Sequence, residues 1–180
     1  MGNRGILHDD AGRVVRNHAS SLWITCALEF KGWRAKQWQP HHYTVLFFHD
    51  EAVSLAAGHR PCALCRRNAY DAYRDALADH DSAKPLSAKD LDARLHAERL
   101  FPRTRTKRLH EVTWPAVPNG AFVLLDDAPH LVQQEALTRW TTTGYAEPRQ
   151  RPHTGNATVL TPPASVAALR AGYRPQVADR

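Results

Sequence analysis

Apolar and polar positions change period several times along the chain, and each change predicts an element. Leu22, Ile24, Cys26, Leu28 and Phe30 alternate with Trp23, Thr25, Ala27 and Glu29, the alternation of a strand with Cys26 on its apolar face. Tyr43 to Phe48 is β-branched and aromatic and predicts a second strand. Asp50 is placed to cap a short helix from Glu51 to Ala57, which Gly58 ends. Tyr70, Tyr73 and Leu77 then recur at helical spacing, so a helix opens at or just after Cys62 and Cys65. Ser87 and Asp90 form a capping box for another helix running to about Leu100, with Leu91 and Leu95 facing inward. Asp9, Asp10 and Gly12 mark an early turn, and Pro115, Pro118, Asn119 and Gly120 mark a later boundary. Ala121 to Leu125 and Leu131 to Gln134 predict a hairpin around Asp126, Asp127 and Pro129. Leu137, Trp140, Gly144 and Tyr145 suit a small barrel-like sheet, and one short helix ends the chain.

The most informative pattern is internal. Thr44 to Pro61 reads TVLFFHDEAVSLAAGHRP and Thr158 to Pro175 reads TVLTPPASVAALRAGYRP, an ungapped match with eight identities that ends in Gly-x-Arg-Pro both times. Only the first copy is followed by Cys-x-x-Cys. The cysteine pair therefore reads as a site added to a reused strand–helix unit. His59, matched by Tyr173, is expected to pack as an aromatic.

Composition narrows the class. At 180 residues, with 43% apolar and 23% charged residues, the chain can bury a core of its own. No apolar run approaches the roughly 20 residues of a membrane span, and MGNRGILHDD lacks the apolar stretch of a signal peptide, which leads to the expectation of a cytoplasmic protein without a membrane partner. Three cysteines, an odd number, argue against a disulfide framework and leave a metal site or free thiols. Lys and Arg outnumber Asp and Glu by 24 to 18, and the sequence pI near 9.5 favours polyanionic partners. No P-loop, Rossmann glycine pattern, Ser-His-Asp order or His-Glu-x-x-His helix is present.

Cys62 and Cys65 stand at the start of a helix beside Arg60, Arg66 and Arg67, an environment that favours thiolates and hence Zn2+. Around them, Phe47-Phe48-His49-Asp50-Glu51-Ala52 and Leu55-Ala56-Ala57-Gly58-His59-Arg60-Pro61-Cys62-Ala63-Leu64-Cys65-Arg66 resemble the second half of the zinc-binding domain of Ada-type DNA-alkylation repair proteins. The resemblance covers about residues 44–67, with Cys26 upstream as the counterpart of the family's first cysteine. It implies one zinc held by four cysteines, contact with DNA, and Cys26 as the acceptor of a methyl group from the phosphate backbone. Phe30 stands where the family's second cysteine belongs. Three thiols leave one donor to find: His42 first, then His41, His59 and His49, or a water. Cys26 can alternatively be an ordinary core thiol.

Two segments mix positive charge with flat rings: Lys31 to His42, with Trp33 and Trp38, and Arg99 to His110, followed by Trp114. Arginine and lysine neutralise phosphates while tryptophan stacks on unpaired bases. Arg34, Lys36, Trp38, Arg66, Arg67, Arg103, Arg105, Lys107 and Arg108 are thus the candidate nucleic-acid contacts, DNA ahead of RNA. The competing reading is a solvated basic face with the tryptophans turned inward.

The expected fold class is α+β: a small zinc-stabilised sheet with short helices, then a β-rich portion ending in a helix. Three regions are expected, an Ada-like metal-binding region over 1–82, a helix and basic linker over 83–114, and a β-rich region over 115–180 able to pack on the first. The expected function is a zinc protein that binds nucleic acid, tied to repair or to modified bases. An enzyme using Cys26 or a zinc-bound water, and a metal-stabilised interaction module, are the alternatives.

Overall fold

The computed structural model describes residues 1–178. Its architecture is α+β, as the periodicities predict, with two sheets and four α-helices. The first sheet joins segments far apart in sequence: β1 (Gly2–Asn3) runs antiparallel to β2 (Ile24–Thr25), and β2 runs parallel to β3 (Arg60–Pro61). Helix α1 (Glu51–Ala56) lies before β3, and α2 (Arg67–Asp81) and α3 (Ala88–Arg99) come after it. The second sheet holds β4 (His110–Thr113), β5 (Phe122–Leu125), β6 (Ala128–Gln133), β7 (Ala136–Thr141), β8 (Gly144–Gln150) and β9 (Asn156–Val159). Its order is β4-β9-β5-β6-β7-β8, antiparallel throughout, and α4 (Pro163–Arg170) closes the chain's regular structure. Among the described residues, no helix is long and apolar enough to cross a membrane.

Helix starts obey their sequence signals. The Asp50 carboxylate accepts the Val53 N–H at 2.8 Å, and the Ser87 hydroxyl accepts the Asp90 N–H at 3.2 Å, each satisfying a donor the helix cannot satisfy itself. The core is shared by all three sequence regions. Leu55 of α1, Tyr73 and Leu77 of α2, Leu91 and Leu95 of α3, Val123, Val132 and Leu137 of the large sheet and Leu169 of α4 form one buried cluster. Burial of each such side chain contributes about 1.5–3 kcal/mol. The Tyr73 hydroxyl shares a 2.9 Å bond with Ser165 Oγ inside it, pinning α2 to α4.

The expected strand from Leu22 to Phe30 contracts to the two residues of β2, and its faces are reversed. Trp23 and Thr25 are buried, whereas Leu22 and Leu28 are exposed. A single-residue change of register exchanges the two faces of a strand, and the inward face here is fixed by polar and aromatic contacts rather than by leucines. Thr25 Oγ1 donates to Ser54 Oγ at 2.9 Å, and Trp23 packs against His59. The Tyr43–Phe48 segment likewise forms only a bridge, Gly2 to Leu46, with Phe47 outside.

Candidate metal centre

The parallel pairing of β2 and β3 places the site. With Thr25 opposite Pro61, the next residues, Cys26 and Cys62, leave the sheet side by side at the same end. The Cys62 N–H donates to the Thr25 carbonyl at 2.9 Å, and the Cys26 N–H donates to the Met1 carbonyl at 2.7 Å, holding both backbones. A turn then brings Cys65 back, closed by the Arg66 N–H on the Cys62 carbonyl at 3.1 Å. The three sulfur atoms lie within 4.8 Å of one another. Sulfurs bound tetrahedrally to one zinc at about 2.3 Å sit roughly 3.8 Å apart, so the cluster fits such an ion with small adjustment.

The backbone is set up for thiolates. The Leu64 N–H points at Cys62 Sγ, 3.4 Å away, and the Ala27 N–H at Cys65 Sγ, 3.3 Å away. Donors of this kind favour negative sulfur and orient it for a cation. The Cys26 thiol donates to Cys62, which with the nearby backbone donors draws Cys62 down to about 5. The same bond, reinforced by burial, pushes Cys26 well above the ordinary thiol range, and burial raises Cys65. Divalent metal would release the thiol protons and remove this frustration.

Among the described residues, the group of clustered donors contains the three cysteines alone. His42, placed first as a fourth ligand, is exposed and turns its Nδ1 to the Pro40 carbonyl at 2.9 Å. His41, in the same turn, is exposed with a left-handed backbone. His59 is fully buried among Trp23 and Phe48, as the aromatic match with Tyr173 implies. His49 stacks edge-on against Tyr145. It does line a cavity of about 360 Å³ with Cys26, Asp50, Glu51 and Arg66, which opens beside the sulfurs. Glu51 there is already engaged by Arg66 at 3.0 Å, by the Tyr173 hydroxyl at 2.6 Å and by the Gln176 N–H at 2.9 Å. Tyr43, which nothing in the sequence singles out, also faces the cluster: burial first, then the three sulfurs, raises its hydroxyl pKa.

The basic candidates divide. Arg34 is paired with Glu29, Arg66 with Glu51 and Arg67 with Asp71. Lys36, Arg103, Arg105 and Arg108 are exposed without an acid partner among the described residues, and Lys107 turns its ammonium onto the Ala56 carbonyl. Trp33 and Trp38 are 53% and 47% exposed, so these rings are not spent on the core, although Trp114 is. Compared with family models, curated proteins and solved structures, the chain matches none, and the chemistry of the site stands on its own geometry.

Proposed function

We propose that the protein binds zinc through Cys26, Cys62 and Cys65 and uses the face so organised, with its flanking basic segments, to hold nucleic acid, DNA ahead of RNA. The observation that carries the reading is the convergence of three sulfurs from a strand end and a turn. Soft thiolate donors select zinc over magnesium or calcium. Zinc held there would cross-link β2 to the segment before α2, which two-residue strands cannot secure by themselves. Support for the polyanion partner is the set of exposed cations with no acid partner among the described residues, Lys36, Arg103, Arg105 and Arg108, together with the exposed Trp33 and Trp38.

A second reading rests on the cavity beside Cys26 and on the resemblance to Ada-type domains. Cys26 would accept an alkyl group from a phosphotriester: its sulfur forms the S–C bond, the O–C bond breaks, and the phosphodiester leaves as the anion. Arg66, paired with Glu51, lines the same cavity and would supply positive charge beside that phosphate.

Elemental analysis of the purified chain tests the first reading, with one zinc per molecule expected, lost in Cys62→Ser. Oligonucleotide binding should weaken steeply with salt, and Arg103→Gln or Arg105→Gln should each lower the salt slope by about 1. No binding at low salt overturns the nucleic-acid part. For the second reading, incubation with alkyl phosphotriester DNA should add the alkyl mass to the peptide containing Cys26; an unmodified peptide rejects it.

A further inference from the structure

A second cavity, of about 210 Å³, lies at the opposite end of the β2–β3 pair from the sulfurs, where the Arg60 N–H donates to the Trp23 carbonyl. Arg4, Arg99, Lys107 and Arg108 line it, with Trp23 and Gly58. Arg99 is only 3% exposed. Its Nη1 donates to the Ser21 carbonyl at 2.9 Å, but among the described residues its Nε and Nη2 have no partner, and neither does Arg4 Nε. Both guanidiniums sit against Trp23, 4.6 Å and 4.8 Å from the ring centre. Gly58 lets Arg99 lie across the end of α1, since a Cβ there would stand 3.0 Å from Arg99 Cγ.

The acids nearest Arg99 are already committed. Asp92 is gripped by Arg60 at 2.9 and 2.7 Å, and Glu98 by Arg94 at 3.2 Å and by the Ala164 N–H at 2.8 Å. The carbonyl end of α1 accounts for one cation, Lys107 on the Ala56 carbonyl. It does not account for Arg99, the one buried cation of the four, since Arg4 is half-buried and Arg108 is exposed with its Nη1 on the Ala97 carbonyl at 2.9 Å. Cation–π contact with Trp23 offsets only part of the cost of burying the Arg99 guanidinium without a counter-ion of its own. Burial draws Arg99 down to about 10, so the fold holds that charge at a cost. An anion removes that cost.

We propose that this cavity is a phosphate site that takes a phosphate monoester, independently of the metal centre. Adjacent idle donors on one guanidinium match two oxygens of one oxyanion. Arg4 Nε and the remaining Lys107 protons offer more donors than a carboxylate can use, and a dianionic phosphoryl group can accept them all. Leu100, Leu160 and Pro162 complete the wall with apolar surface for the group that carries the phosphate. That group is either a free small molecule, such as a nucleoside monophosphate, or the 5′ end of a nucleic-acid strand.

Calorimetric titration of the full chain, at fixed chloride ionic strength, tests this with a nucleoside monophosphate and with matched 5′-phosphoryl and 5′-hydroxyl oligonucleotides. One site per chain is expected. Binding by the monophosphate identifies the free source, and a preference for 5′-phosphoryl over 5′-hydroxyl strands identifies the strand end. Arg99→Lys, which keeps the charge but loses the fork, should weaken it by about tenfold or more. Lys107→Met lies on an exposed segment, keeps the fold, and should weaken it by a similar factor, whereas Arg34→Gln should not. Zinc content should be unchanged in all three, which separates this result from the fate of the metal site. Absence of phosphate-dependent heat in every arm, or binding undiminished in both Arg99→Lys and Lys107→Met, overturns the proposal.

Discussion

The two eighteen-residue copies share their helix ends and differ in the residues downstream of them. In the first, the N–H groups of Ala57, Gly58 and His59 donate to the carbonyls of Val53, Leu55 and Ser54, and in the second those of Ala171, Gly172 and Tyr173 donate to Ala167, Leu169 and Ala168, position for position. Both glycines have positive φ, +89° and +107°, and both leucines are buried. Beyond that point the copies part. Arg60 and Pro61 enter a sheet as β3 and deliver Cys62, whereas Arg174 stays exposed and Gln176 uses its backbone to hold Glu51. The helix stop is thus a frame common to both, and the chemistry is written in the residues after it.

The largest contrast is expected at aligned Cys62 and Gln176. Cys62→Ser should abolish stoichiometric zinc and lower stability by roughly 4–5 kcal/mol, the upper range for a single substitution, because it removes a metal and leaves two thiols facing each other. Gln176→Ser, whose exposed side chain makes no bond among the described residues, should stay within about 0.5 kcal/mol. Zinc analysis and urea unfolding of both variants check this. Equal and small losses would show that the sulfurs do not organise the first copy.

The two arginines come next. Arg60, 2% exposed, makes a two-bond ion pair with Asp92, while among the described residues Arg174 bonds only carbonyls at the surface. Arg60→Ala strands a buried carboxylate and should cost about 3–5 kcal/mol. Arg174→Ala should cost under about 0.5 kcal/mol. Denaturation midpoints with unchanged m-values would establish both.

How much of the fold and of the site is legible in the sequence depends on whether the deciding contacts are local. The Asp50 and Ser87 caps, the turn at Asp9, and the hairpin at Asp126 and Asp127 each act within a few residues, and all stand in the structure. The Cys62–Cys65 pair is legible for the same reason. Cys26 is visible only as an upstream thiol, since its place beside Cys62 is set by a parallel pairing across more than thirty residues. That pairing also hides the reversal of β2, because periodicity reports leucines and the inward face uses Trp23 and Thr25. His42 rests on loop proximity along the chain, which says nothing of direction. The cationic cavity brings Arg4 to Arg99 and Lys107 of the basic run, two segments more than ninety residues apart, and leaves no sequence signal beyond the basic run itself.

The aligned rings His59 and Tyr173 should load opposite ends of the pH profile. Burial, with Arg4 and Arg99 nearby, pulls His59 well below 6.5. Below 6.5 the unfolded chain takes a proton that the folded chain refuses, so the stability present above that pH is lost as pH falls, by about 1.4 kcal/mol per pH unit for one group. His18 and His96 carry shifts of the same sign, and His59→Phe should remove one proton's share of the slope. For Tyr173, burial and Glu51 raise the hydroxyl above its usual 10. Its stability is present below that value and lost as pH rises, and Tyr173→Phe should flatten only the alkaline limb. Unfolding midpoints from pH 5 to 11 would separate the two, and a flat acid limb in the unmodified protein would contradict the buried neutral His59.

The finest contrast concerns the glycines themselves. A Cβ at Gly172 meets nothing within 4 Å, so Gly172→Ala carries only the strain of a backbone conformation that L-residues avoid, roughly 1–2 kcal/mol. At Gly58 the same backbone strain applies, but the Cβ would come within 3.0–3.3 Å of three Arg99 atoms. Arg99 cannot simply swing away, being buried and bonded to the Ser21 carbonyl. Gly58→Ala should therefore cost about 1 kcal/mol more than Gly172→Ala. Because the backbone strain is common to the two variants, their difference measures the Arg99 contact alone. An equal loss in both unfolding curves would mean that Arg99 is not fixed across the end of α1, and that the first copy's helix stop is no more crowded than the second's.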